Sequence, residues 1–134
     1  MNNMIDDAYI AEIKLLKQAL FKNKNICFAL LFGSYASGKY NERSDIDIGL
    51  YFYRAPEGLD ILYLINHLSG YVQQEVDITI LNRASAFLRH QIMLNCKRLF
   101  IKDRIIYRDY REKTITDFFN YKYISDLYLY DKEL

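Results

Sequence analysis

The sequence predicts a small α/β domain, a mixed β-sheet flanked by helices. Three observations predict it. Residues 26 to 32 (ICFALLF) form an unbroken apolar run, the mark of a strand buried on both faces. Two later stretches, residues 45 to 52 (DIDIGLYF, over its first four residues) and 76 to 80 (VDITI), alternate polar and apolar side chains at strand period. Between and around these runs, apolar residues recur at helical spacing.

Taken in order, Ile5, Tyr9, Ile13, Leu16 and Leu20 predict an amphipathic helix over residues 5 to 22, ended by Lys22, Asn23, Lys24 and Asn25. The buried strand 26 to 32 follows. Residues 33 to 44 are small and polar, hence a turn, a short helix or a loop. The strand 45 to 52 comes next. Pro56, the only proline, lies in a loop over residues 54 to 58. Leu59, Leu62, Ile65 and Leu68 predict a second helix that stops near Gly70. Val76, Ile78 and Ile80 mark the third strand. Ser85 caps a helix that runs to about Asn95, with Leu88 and Ile92 on its buried side. Residues 98 to 102 (RLFIK) read as a short strand. From Arg104 onward the pattern is helical, in two segments joined around Asn120, so residues 104 to 134 form a helical extension of one domain spanning 1 to 134.

Composition narrows the function. At 134 residues and 51% apolar content, the chain has enough apolar surface for one core and no more. Its net charge of +1 lacks the bulk positive field of non-specific nucleic-acid binders, so a nucleic-acid partner is not expected. No apolar run reaches membrane-helix length, and the N-terminus lacks the basic start of a signal peptide. Cys27 and Cys96 sit in apolar or mixed runs and read as buried free thiols. A cytoplasmic protein without a membrane partner is expected.

Three features carry chemistry. The first buried strand runs into Gly33-Ser34. Ten residues later come Asp45-Ile46-Asp47, and a third carboxylate, Asp77, sits inside another strand. Residues i and i+2 of a strand share a face, so Asp45 and Asp47 project together. Neighbouring carboxylates repel unless a cation neutralises them, and Mg²⁺ is the natural hard, oxygen-seeking choice. If the strand of Asp77 neighbours the first, three acids converge. Such a cluster suits two Mg²⁺ ions about 4 Å apart, bracketing a phosphoryl or nucleotidyl displacement. Gly33 lets a turn approach a phosphate closely, and Ser34 adds a hydroxyl donor.

Gly33-Ser34-(ten residues)-Asp45-Ile46-Asp47 resembles the G-S-x10-D-x-D motif of the nucleotidyltransferase superfamily related to polymerase β. The short chain, with ALLFGSYASGK and SDIDIGLYF, is similar to the minimal nucleotidyltransferases (MNT) over about residues 5 to 120. That resemblance implies a polymerase β palm-like fold, ATP as substrate, and a role as antitoxin. Such antitoxins transfer AMP to a tyrosine of a HEPN ribonuclease toxin, in a hetero-oligomer with it. Carried over, Gly33 and Ser34 hold the β- and γ-phosphates, and Asp45 and Asp47 ligate the metals. Asp77 ligates the catalytic metal and helps deprotonate the attacking hydroxyl. Many members have an arginine where this chain has Ser37; either Lys39 or Arg43, which read equally as ordinary solvated loop charges, meets the phosphate charge, or activity is weaker.

Other readings compete. Gly33 to Lys39 nearly spells a P-loop, but Tyr40 replaces the required Ser or Thr. His67 and His90 lack partners at metal-ligand spacing and fall on helices, so structural roles are expected. Small-molecule or nucleic-acid acceptors usually require an extra domain. A third possibility is a non-catalytic antitoxin that masks its partner by binding. Residues 97 to 113 are rich in Lys and Arg, read as a solvated mixed-charge face or a docking surface for an acidic partner or an RNA end. The tyrosines at 121, 123, 128 and 130, with Ile124 and Leu127, read as core packing or a partner interface.

Overall fold

In the computed structural model, residues 7–41 and 43–133 are described. The elements run α1 (Asp7–Lys22), β1 (Ile26–Phe32), α2 (Ser34–Ser37), β2 (Ile46–Phe52), α3 (Asp60–Ser69), β3 (Val76–Ile80), α4 (Ala86–Leu94), β4 (Lys97–Ile101) and α5 (Arg104–Glu133). Ile5, which the sequence places on the first helix, lies outside the described residues.

The four strands form one sheet in the order β3-β2-β1-β4. β1 pairs antiparallel with both β2 and β4, while β2 and β3 run parallel, joined by the crossover helix α3. The mixed sheet expected from the sequence is therefore present. β1 is central and buried at almost every position, which accounts for its continuous apolar run.

Each sheet face carries its own core. Ile46, Ile48, Leu50 and Phe52 of β2 share one face with Ala29 and Leu31, against Leu16 and Leu20 of α1 and Leu68 of α3. Phe28 and Leu30 belong to the other core, with Leu81, Ile92 of α4, and Tyr107 and Tyr110 of α5. Phe28 stacks on Tyr51 at 5.0 Å and meets Tyr107 edge-on at 4.9 Å. Asp47, Gly49 and Tyr51 point to this second face, because they alternate with the buried isoleucines. At Gly49 a side chain would press within 3.1 Å of Leu81, so the second core closes tightly there.

The structure corrects four expectations. The C-terminal region is one continuous 30-residue helix, with no break at Asn120. A single asparagine costs less than about 1 kcal/mol in a helix interior, and no Gly or Pro lies within Arg104–Glu133 to break it. Beyond that point Tyr121, Tyr123, Ile124, Leu127, Tyr128 and Tyr130 are exposed, so the aromatic run is not core; α5 outruns the body that would cover it. On α4, Ser85 caps as expected, its hydroxyl accepting from the Leu88 N–H at 3.2 Å, and Ile92 is buried. Leu88 is exposed, however, because α5 covers the Arg89 and Ile92 side of that helix. Cys27 is buried, whereas Cys96 is only half-buried; both thiols are free, and burial raises the pKa of each.

Arg89 joins α4 to α5. Its guanidinium donates to Thr114 Oγ1 at 3.1 Å and to Asp117 Oδ2 at 3.0 Å, and its Nε donates to the Ala84 carbonyl. His90 stacks on Phe118 with ring centroids 3.7 Å apart, a packing role. His67 is exposed on α3 against Tyr71.

Candidate active site

The carboxylates gather where β2 begins. Asp47 lies directly across the parallel ladder from Asp77, and Ile46 lies across from Val76. Residues paired this way put their side chains on the same face, so Asp47 and Asp77 project together. Asp45, two residues before Asp47, adds its charge from the strand entry; its neighbour Ile46 is pinned by an N–H bond to the Glu75 carbonyl at 2.8 Å. On the other side Asp47 is opposite Phe32, the last residue of β1.

Gly33 follows Phe32 at once and closes the site from above. Its φ of 73° and ψ of −152° suit glycine alone. A β-carbon at this position would overlap Asp47 Oδ2 and stand 3.1 Å from its Cγ. The glycine thus sets both the turn and the room for the carboxylate. The backbone then enters α2, where the Gly33 carbonyl accepts from the N–H groups of Ala36 and Ser37. The Ser34 carbonyl accepts from Ser37 Oγ at 3.2 Å and from the Lys39 N–H at 3.1 Å. The Ser34 hydroxyl makes no hydrogen bond among the described residues.

Electrostatics mark the same place. The Asp47 carboxyl is held above the ordinary carboxylate range, first by burial and then by the negative charges of Asp77 and Asp45. Among the described residues no Lys, Arg or His makes an ion pair with any of the three acids. Three like charges with no protein cation, one of them half-buried, fit a divalent metal. They do not form a closed cage as they stand: among the described residues no trio of His, Cys, Asp or Glu meets metal-shell spacing. Asp77 is exposed on the edge strand β3, leaving that side of the cluster open.

Lys39 and Arg43 lie exposed on the segment between α2 and β2. Neither side chain has a hydrogen bond or ion pair among the described residues, so both are free to meet an anion, and neither is held against the carboxylates. A pair the sequence reading missed shapes this segment. Buried Tyr35 stacks on Tyr40 at 4.7 Å and 11°, folding the chain that carries Lys39 back onto α2. An i, i+5 spacing fits neither helix nor strand period, so no periodic signal announced it. Farther along the same sheet face lies a cavity of about 310 Å³, lined by Tyr51, Leu81, Arg89, Tyr110 and Lys113.

Comparison with known proteins agrees with this geometry. The polymerase beta nucleotidyltransferase family matches residues 14–105. The chain belongs to that family. The match contains Gly33, Ser34, Asp45, Asp47 and Asp77, every residue of the motif and its third carboxylate. This nucleotidyltransferase is 35% identical over 77 residues to "Putative protein adenylyltransferase MJ1215" of Methanocaldococcus jannaschii, covering 54% of this chain and 90% of that protein. It is 40% identical over 67 residues to "Putative protein adenylyltransferase MJ0128" of the same organism, covering 50% of this chain and 64% of that one. Its fold matches a chain in the crystal structure of a toxin-antitoxin with AMP-PNP (TM-score 0.76, 23% identity, 92% of this chain and 97% of that one). It also matches a chain of the tri-AMPylated Shewanella oneidensis HEPN toxin in complex with MNT antitoxin (TM-score 0.71, 20% identity, 91% and 99%). No described helix is long and apolar enough to cross a membrane.

Proposed function

We propose that this nucleotidyltransferase transfers AMP from ATP to a tyrosine hydroxyl of a HEPN toxin and so acts as its antitoxin. The observation that carries the reading is the facing of Asp47 and Asp77 across the β2–β3 ladder, with Asp45 beside them and Gly33 above. The relatives named as protein adenylyltransferases and the AMPylated HEPN–MNT complex support the acceptor. In this reading α5 is a helical extension of the nucleotidyltransferase domain. Its free thiols are consistent with a cytoplasmic, reducing location.

In the proposed reaction the acceptor oxygen attacks the α-phosphorus in line. A P–O bond forms as the bond to the β-phosphate oxygen breaks, and pyrophosphate leaves. Asp45, Asp47 and Asp77 would hold Mg²⁺, two ions in this reading, which supplies charge neutralisation at the phosphates. Gly33 offers close backbone approach to the β- and γ-phosphates, and Ser34 a free hydroxyl donor. Asp77, the exposed acid, accepts the proton of the incoming hydroxyl. Lys39 and Arg43 are free to attract the triphosphate, in place of the arginine absent at Ser37. Most of the catalysis is positioning and charge compensation.

A second reading has one observation in its favour. The exposed aromatic end of α5 suits stable binding, so the chain could neutralise its partner by masking alone. Intact-mass spectrometry separates the two. A HEPN toxin incubated with the chain, ATP and Mg²⁺ gains the mass of AMP on a tyrosine, and Asp47→Asn leaves it unmodified. An unmodified toxin that is nonetheless neutralised would establish masking.

A further inference from the structure

β4 is an edge strand, paired with β1 on one side only. Its outer edge opens into a groove of about 580 Å³ shared with the start of α5. Four consecutive strand residues, Arg98 to Ile101, line that groove. A bulge at Leu99, between Arg98 opposite Leu30 and Phe100 opposite Ala29, breaks the strand's alternation here and brings neighbouring residues to the groove. The facing wall is the i, i+3, i+4, i+7 surface of α5: Arg104, Tyr107, Arg108 and Arg111. Four arginines therefore surround an unpaired strand edge.

Their charge is largely uncompensated. Among the described residues, Arg108 meets Asp109 at 3.4 Å in an exposed pair, and no other groove arginine has an ion pair. The rings nearby are already engaged. Arg98 and Arg111 lie over Tyr107 at 5.1 and 5.7 Å, and Phe21 meets Phe100 edge-on at 5.3 Å. The two rings that line the groove, Phe100 and Tyr107, are thus engaged, whereas the outer edge of β4 offers N–H and C=O groups to an extended peptide.

We infer that this groove captures an extended acidic peptide segment of a partner protein, which adds a fifth strand beside β4 and sets its carboxylates against Arg98, Arg104, Arg108 and Arg111. Backbone pairing supplies the register, and the arginine forks select the charge. The groove lies at the sheet edge opposite β3 and Asp77, so this binding is independent of nucleotide transfer.

Fluorescence anisotropy tests the inference without ATP. The probes are a labelled extended peptide alternating Glu and Val, its Lys–Val counterpart, the Glu–Val peptide with alternate amides N-methylated, and a single-stranded oligouridylate. The Glu–Val peptide should bind and weaken as salt rises. Losing the backbone donors, or reversing charge with Arg104→Glu/Arg108→Glu, should each cost about tenfold or more in Kd. Circular dichroism checks the double variant's fold, and Arg108→Gln, with a smaller loss in the same direction, serves if it is unfolded. Equal binding of the N-methylated peptide, unchanged binding by the arginine variants, or tighter binding of the oligouridylate would each overturn it.

Discussion

Gly33 stands so close to Asp47 that a β-carbon on it would overlap a carboxylate oxygen. Sequence order makes this contact inevitable once β1 and β2 pair, because Phe32 is opposite Asp47 and Gly33 is the next residue. The tight turn and the half-buried carboxylate are therefore one unit.

Replacing Gly33 with alanine should damage both. The backbone there has a positive φ and extended ψ that cost roughly 1–3 kcal/mol for any other residue. The methyl must also displace Asp47. Gly33→Ala is expected to lower the urea midpoint and to cut AMP transfer by about 100-fold or more. A variant with wild-type activity would show that this contact does not position the carboxylate.

Asp47 should make the chain sensitive to pH in a defined direction. Burial, then Asp77 and Asp45, hold its folded-state pKa above the ordinary value. The folded chain thus keeps a proton that the unfolded chain has released, and this group costs stability as pH rises through that window. Asp47→Asn removes the cost. In the presence of chelator, the variant should be the more stable protein at neutral pH, and the advantage should vanish below the carboxylate range. Asp117 titrates the opposite way, its pKa lowered by Arg89 and Lys113, but it is common to both proteins and cancels. Wild type being more stable than Asp47→Asn at neutral pH would contradict the repulsion described here.

Arg89 is the main polar tie between α4 and α5. Its side chain is only 12% exposed and serves Thr114, Asp117 and the Ala84 carbonyl. Arg89→Ala leaves Thr114, which is fully buried, without its donor. Chemical denaturation should show a loss of about 2–4 kcal/mol. A loss near zero would mean that the aromatic contacts of Phe118 suffice to hold α5.

The end of α5 should behave as a surface made for a partner. Leu127 is half exposed and Ile124 mostly so. Leu127→Glu is expected to leave the isolated chain's stability within about 0.5 kcal/mol while weakening co-purification with a HEPN toxin. A large drop in the isolated chain's melting temperature would show instead that the segment packs on its own body.

Much of the site could be read from the sequence because its chemistry is local. Gly33-Ser34 and Asp45-Ile46-Asp47 are contiguous, and the alternation of Val76 to Ile80 placed Asp77 on a strand. What the sequence left conditional was strand order. Only the parallel β2–β3 pairing brings Asp77 to Asp47, and that depends on the α3 crossover packing on the sheet. Boundaries moved by a residue where pairing decides them, as at Lys97 in β4. The exposure of Tyr121 to Tyr130 was not legible, since aromatic residues at helical spacing look alike whether a core or another protein covers them. The Tyr35–Tyr40 stack had no periodic signature.

In the function proposed above, the Asp45–Asp47–Asp77 cluster directs transfer of the AMP moiety of ATP to a protein. The most direct measurement incubates the chain, or Asp77→Ala, with host lysate, Mg²⁺ and ATP labelled at either the α- or the γ-phosphate, and reads the gel for labelled protein. A band from α-label alone, present with wild type and absent with Asp77→Ala, is the predicted result. A band that appears with γ-label, or that persists undiminished with Asp77→Ala, would contradict it.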